Sequence, residues 1–351
     1  LLADRIVPAG NISVVAGDSA FQQTLVIDGT DETDVVRVSM SPVIVGSVHF
    51  GDRVNVTMMH SNHTDTFTHV NQFFGITKIE FRGNGGDDVF RNDTDFKCVA
   101  FGGSGNDRLI GGTNNDSLDG GLGRDSVQGM AGDDALKGGP DANQLDGGPG
   151  NDFVEGWTDS DIVNGGPGND SLYGFQGDDA LNGDGDDDQL FGGSENDWLT
   201  GGSGQDELRG EDGSDNLYGD DGNDKLYGGI GDDWLFGIAG NDSLFGEQGS
   251  DYLAGGANDD RLYGNEGADI LRGDDGNDYL SGGDDGVRDE LRGGKGADYF
   301  EADEILAPHV VFSPISGQPI GVGFHTTDRD VPFDLNTAEG DRYNLVSIFG
   351  L

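Results

Sequence analysis

The sequence predicts an all-β solenoid, in which very short parallel strands wind into two stacked sheets. Three observations predict it. From Gly102 to Ser281 the chain divides into twenty consecutive nine-residue blocks without a gap. Each block joins a run rich in Gly, Asn and Asp to a short stretch centred on Leu or Val. The composition is also unlike that of an ordinary core: 351 residues hold 65 Gly, 67 Asp+Glu and 19 Lys+Arg, for a formal net charge of −48. Low hydrophobicity with such charge normally marks a disordered chain, and the strict period argues against that here.

The register is tight. Every block begins with Gly, from Gly102 and Gly111 on to Gly273. Position six is Asp in nineteen of the twenty blocks, with Asn143 the exception, and position eight is always Leu or Val. Six residues such as Gly219-Asp220-Asp221-Gly222-Asn223-Asp224 make a turn, because Gly, Asn and Asp tolerate left-handed backbone. The next three, Lys225-Leu226-Tyr227, make a minimal strand whose middle side chain points inward. Two blocks return the chain to its start, so one coil takes 18 residues and twenty blocks give ten coils.

So thin a Leu/Val core cannot by itself offset the backbone entropy of ordering such coils. A hard cation supplies what is missing. Ca²⁺ takes six to eight oxygens, which turn carbonyls and the position-six carboxylates provide. Turns n and n+2 lie one above the other, so twenty turns make 20 − 2 = 18 shared sites, and 18 doubly charged ions offset 36 of the 48 negative charges. The same acidity excludes nucleic acid as a partner and disfavours anionic membrane surfaces.

The block Gly201-Gly202-Ser203-Gly204-Gln205-Asp206-Glu207-Leu208-Arg209 is similar to the nonapeptide of the RTX, or haemolysin-type, calcium-binding family. That resemblance implies a parallel β-roll, export from a bacterium to the extracellular side, and folding on meeting external calcium. Carried over block by block, it makes the calcium carboxylates Asp107, Asp116, Asp125, Asp134, Asp152, Asp161, Asp170, Asp179, Asp188, Asp197, Asp206, Asp215, Asp224, Asp233, Asp242, Asp251, Asp260, Asp269 and Asp278. Asp87, Asp289 and Asp298 extend the set into less regular blocks at either end. The block holding Asn143 departs from the pattern twice, since its position four is Asp141 instead of Gly.

These edges set the expected organisation: an N-terminal β-domain or cap over 1–81, the repeat over 82–301, and a closing segment over 302–351. Arg82 to Phe90 reads as a degenerate block with Asp87 and Val89, and Gly29-Thr30-Asp31-Glu32-Thr33-Asp34-Val35-Val36 as an earlier echo of the coil. Leu25-Val26-Ile27, Val35 to Val38, Val43-Ile44-Val45 and Ile76 to Phe81 read as strands. Solenoids need such caps because a bare end strand invites association. The tail, with Asp330 to Asn336 and Glu339 to Leu345, resembles the segment that follows RTX repeats, where the family also carries a secretion signal.

Little else suggests chemistry. Cys98 is the one cysteine, so no disulfide forms within the chain. His60, His63 and His69 lie close in sequence, but no Cys or ordered Glu accompanies them as a zinc site requires. There is no His-Glu-x-x-His helix and no Gly-x-Ser-x-Gly elbow, and no run of apolar residues long enough to span a membrane. Outward-facing rings recur on alternate blocks: Tyr173, Phe191, Tyr227, Phe245 and Tyr263 in one ladder, broken by Arg209, and Trp198, Trp234 and Tyr252 in a shorter one. They are strand neighbours that stack on each other, or a surface for glycan or self-assembly. The expectation is a non-enzymatic, calcium-loaded secreted structural or adhesive protein, such as a subunit of a cell-surface layer or filament. The alternative is the calcium module of an exported hydrolase, lyase or epimerase whose catalytic domain lies upstream.

Overall fold

A computed structural model of the chain describes residues 12–16, 23–29, 33–45, 48–60, 63–71, 76–283, 285–301 and 310–311. Among the described residues there are strands and turns and no helix. The chain forms two compact units, residues 1–175 and 176–351. Each is a parallel β-roll of stacked coils.

The unit over 176–351 shows the repeat at its most regular. Lys225–Ile230 pairs in parallel with Glu207–Asp212 and Ser243–Gln248, which puts Leu208, Leu226 and Leu244 in one row. Asn216–Gly222, Trp234–Ala239 and Tyr252–Ala257 do the same in a second sheet, with Leu217, Leu235 and Leu253 in register. Partners are 18 residues apart, as the nine-residue period predicts. All six leucines are fully buried.

The strands are longer than the three residues expected. Lys225–Ile230 runs through positions seven to nine and into the first three positions of the next block. Lys225 is exposed, Leu226 buried, Tyr227 half-buried and Gly228 buried, the alternation of an extended chain. Position one therefore faces inward like position eight, and its space is filled by oxygen. A Cβ on Gly237 would lie 2.3 Å from Asp242 Oδ2 and 2.6 Å from the Gly255 carbonyl oxygen. At Gly240 the backbone has φ +141°, and a Cβ would come within 1.3 Å of the Gly222 carbonyl oxygen. No side chain fits either place.

In the unit over 1–175 the coil begins well before residue 82. Gln23–Asp28 pairs in parallel with Ile76–Gly85, and Asp34–Val45 with Val89–Asp93. Gly29 and Asp34 thus stand to each other as positions one and six of a block do, a Cβ on Gly29 lying 2.8 Å from Asp34 Oδ2, as the sequence echo suggested. What separates them from the next coil is an antiparallel excursion, in which Val48–His60 pairs with Asp34–Val45 and with His63–Asn71. Ile12–Ala16 lies antiparallel on Gln23–Asp28 and occupies that strand's outer edge. The early coils are filled by larger groups than Leu: Phe81 and Phe90 stack with centroids 4.9 Å apart, beside buried Ile79. Of residues 302–351, expected to close the roll, the structure describes Val310–Val311, which pairs with Glu290–Lys295, and the rest lie outside the described residues.

Because each coil touches only its neighbours, damage should stay local. Leu226→Ala should cost about 2–5 kcal/mol of local stability. Hydrogen exchange on the calcium-loaded protein should lose protection in the strands carrying Leu208, Leu226 and Leu244. Uniform loss from Gln189 to Tyr299 would contradict the near-neighbour account.

Candidate metal centre

Each turn ends at position six, where the carboxylate folds back under its own turn. Oδ1 of Asp224 accepts the backbone N–H of Asp206, and Oδ1 of Asp242 accepts that of Asp224, both at 2.9 Å. The link repeats from Asp188 to Asp298 on one line of turns and from Asp179 to Asp289 on the other, at 2.7–3.1 Å. In the unit over 1–175 it runs from Asp34 through Asp88 to Asp161, and from Cys98 to Asp170, at 2.6–2.9 Å. One oxygen of every link is a clip between coils.

The other oxygen is left over. In every ninth residue from Asp197 to Asp278, Oδ2 is buried and has no hydrogen-bond partner. Leaving such an acceptor dry costs on the order of 1–3 kcal/mol, more when it is charged. Yet Oδ2 does not point at apolar groups. It points at the position-one glycine and at the position-one carbonyl two blocks on, as around Gly237, where Asp242 Oδ2 and Gly255 O would both crowd a Cβ. This is a cradle of oxygens with room for a group that bonds oxygen. No three His, Cys, Asp or Glu side chains converge among the described residues, so a cation here takes one carboxylate from a turn and completes its shell with backbone carbonyls. An all-oxygen set suits Ca²⁺.

The electrostatics agree. Burial pushes the carboxyl of Asp224 up to about 7, with repulsion from Asp242 and Asp206 adding to the rise. Burial likewise pushes Asp233 and Asp278 up to about 7, and Asp251 and Asp260 to about 8. Burial lifts Asp206, Asp215 and Asp242 less, to about 6, so closed turns without an ion hold protons near neutral pH at some positions and bury charge at others. A divalent ion is what keeps these groups ionised while buried.

The structure places most of the sequence-predicted residues in this geometry, with instructive departures. Asp88, not Asp87, takes the buried place: the block starts at Gly83, its Cβ position 2.3 Å from Asp88 Oδ2, and Phe90 fills the core. Asp87 stands at position five, where its Oδ1 accepts the N–H of Asn106 at 2.8 Å. The coil from Gly83 to Gly102 is one residue longer than the regular 18-residue coil, which hid the register. Asp34 was passed over as a site residue, yet its N–H joins the same chain of links. Asp289 and Asp298 keep the geometry across 20-residue steps, which absorb the lengthened block.

Three turns depart from the oxygen cradle. At Asn143 the amide nitrogen donates to the carbonyls of Asp141 and Gly139 at 2.7 and 3.1 Å, so a side-chain donor does there what an ion would do. Asp116 has its Oδ2 engaged by the N–H of Gly112 at 2.6 Å. Cys98 stands where position six would be, and its turn is tied by Asn92 and Thr94 side chains. Position five was the signal missed. Its Asn and Asp side chains form an exposed second ladder, as when Asn223 Oδ1 accepts the N–H of Asn241 at 2.8 Å. The recurrence of Asn or Asp there was visible in the repeat. The side chains of His60, His63 and His69 lie outside those described.

The RTX calcium-binding nonapeptide repeat is the family whose model matches the chain, in overlapping segments that together span residues 99–286. None of the curated proteins compared matches it.

Two outcomes follow from this geometry. Without metal, groups whose pKa rises on folding stabilise the coil fully below about pH 4, their unfolded value. That stabilisation is lost as pH climbs through about 7 for Asp224 and about 8 for Asp251. Circular dichroism of metal-free protein should therefore show β structure at pH 4 that fades by about pH 8.5, while saturating calcium should keep it at pH 8.5. An equally β-rich metal-free spectrum at both pH values would refute this. Second, Asn143→Asp should restore the missing oxygen and raise the bound calcium per chain, read by elemental analysis after gel filtration; an unchanged ratio would show that this turn excludes the ion for another reason.

Proposed function

The chain belongs to the RTX calcium-binding nonapeptide-repeat family, and from that premise we propose that it is a secreted, non-enzymatic structural or adhesive protein acting at a cell surface. Calcium binding comes with the family. When bound, calcium supplies positive charge to each cradle and ties one coil to the next. On the order of 18 ions is the load proposed, reduced at turns such as those of Asn143 and Asp116. The chain's own residues do the rest: position-six carboxylates clip backbone N–H groups, position-one glycines leave room, and leucines exclude water.

The observation that carries this reading is how the side chains divide. The buried carboxylates are committed to coil-to-coil links, while large apolar side chains such as Trp198, Trp234 and Ile230 are displayed outward, each about half exposed or more. A protein that spends its acids on scaffold and displays rings is suited to contact. Its fold would form outside the cell, where calcium is plentiful, and stay open inside. No helix among the described residues is long and apolar enough to cross a membrane, which fits attachment through surface contact.

The test is fractionation of a producing culture in millimolar calcium and after chelation. Protein that pellets with cells or assembles in calcium, and is released by chelator, is the expected result. Calcium-loaded protein found wholly in the medium, and a lone monomer by sedimentation velocity, would overturn the proposal.

A further inference from the structure

The two outer faces of the 176–351 unit are not alike. On one sheet the ring ladder covers itself. Tyr227 stacks on Phe245 and Phe245 on Tyr263 with centroids 4.9 and 5.0 Å apart and ring planes 7° and 3° from parallel. Arg209 closes over the free side of Tyr227 at 4.4 Å. Ring faces spent on one another have little left for a ligand, so this ladder reads as strand packing.

The other sheet differs. Trp198 and Trp234 stand at position seven, 50% and 54% exposed. Asn216 pairs with both and lies between them in the row. Beside them at position nine, Tyr218 stacks on Phe236 at 5.0 Å and on one face of Trp198 at 4.9 Å, and Trp234 leans at a tilt on Tyr252, so rings stack here too and what sets this face apart is the exposure of its two indoles. The Trp198 indole N–H donates to Thr200 Oγ1 at 3.2 Å, which helps to fix that ring. Two coils separate the tryptophans, about 9.6 Å at the usual strand spacing.

Charge narrows the occupant. In a chain with 67 acidic residues, none of the position-seven and position-nine residues of this face from Ala180 to Arg272 is acidic. The acids stand at the ends of these strands, as Asp184, Asp220, Asp221 and Asp274, and in turns such as those of exposed Asp232 and Asp259, and together they rim the face. A second copy would bring one acidic rim against another. An anionic polymer would meet the same rims with no row of cations beneath it, Arg272 being the only cation on this stretch of face. An uncharged polymer meets no such cost.

We propose that the face carrying Trp198, Asn216 and Trp234 binds an uncharged, extended polysaccharide, with sugar rings stacked on the two indoles and hydroxyls paired by the Asn216 amide between them. The step between the tryptophans is comparable to one disaccharide of an extended chain, so every second sugar meets a ring. The inference rests on the adhesive reading and names its ligand class.

The experiment uses the full chain in calcium with insoluble chitin and cellulose, soluble mannan, and alginate as the anionic comparison. The parent should bind at least one of the uncharged polymers and bind alginate less. Trp198→Ser with Trp234→Ser should lower that binding by roughly tenfold or more, while calcium-dependent circular dichroism stays that of the parent. Trp234→Tyr should keep most of it, and Phe245→Thr on the opposite sheet should change nothing. Four results would overturn the proposal: no binding to any uncharged polymer, preference for alginate, equal binding by the double variant, or parent dimers that the double variant dissolves. Cell retention is scored separately. If the double variant still pellets with cells but the glycan assays fail, the sugar face is wrong and the adhesive reading stands.

Discussion

Most turns of the described repeat hang on a carboxylate that divides its two oxygens between unlike tasks. Oδ1 accepts a backbone N–H from the coil behind, at 2.9 Å between Asp224 and Asp206. Oδ2 stays buried beside a glycine and a carbonyl. The first task is complete within the chain. The second is not, because an anionic oxygen among carbonyls needs either a proton or a cation. Which of the two is present decides whether the coil can close at neutral pH, and the family's calcium answers that requirement.

Much of the rest follows from the space this arrangement takes. Position one must be glycine because the carboxylate of its own block lies where a side chain would grow, 2.3 Å away at Gly237. With that side chain gone, the inner layer holds one leucine and one oxygen cradle per block, and apolar burial is halved. Strands therefore reach six residues without enlarging the core. Dependence on an ion is the counterpart of that economy: the part of the interior that would have been hydrophobic has been given to oxygen.

The fold was legible because its signal is periodic. Leu226 and Asp224 recur with their equivalents so regularly that register, coil length and ligand type could be read directly. The signal failed where the period slipped by one. Between Gly83 and Gly102 the extra residue moved Asp88 into the place assigned to Asp87. It also failed where a residue's partner lies a coil away with no rule to announce it, as with the position-five link from Asn241 to Asn223. Strand length was underestimated because glycine reads as a breaker, whereas Gly228 lies within the strand Lys225–Ile230. Sequence spacing puts rings in a row but does not say whether their faces are covered.

The irregular turns are gathered in the unit over 1–175, and their position has a consequence for how that unit forms. Cys98, Asp116 and Asn143 each replace the open oxygen with a hydrogen bond made by the chain itself or leave no carboxylate at all. Beside the first of them lie Phe81 and Phe90, stacked and fully buried, and an antiparallel strand covering the outer edge. These coils add ring packing and side-chain hydrogen bonds to open carboxylate oxygens such as those of Asp88 and Asp107. In a solenoid the costly step is the first coil, since each later one adds contacts to a surface already ordered. In this unit the stacked rings and the Asn92 and Thr94 side chains therefore offset part of the cost of the first coils without an ion, while Asp88 and Asp107 still leave oxygens for one.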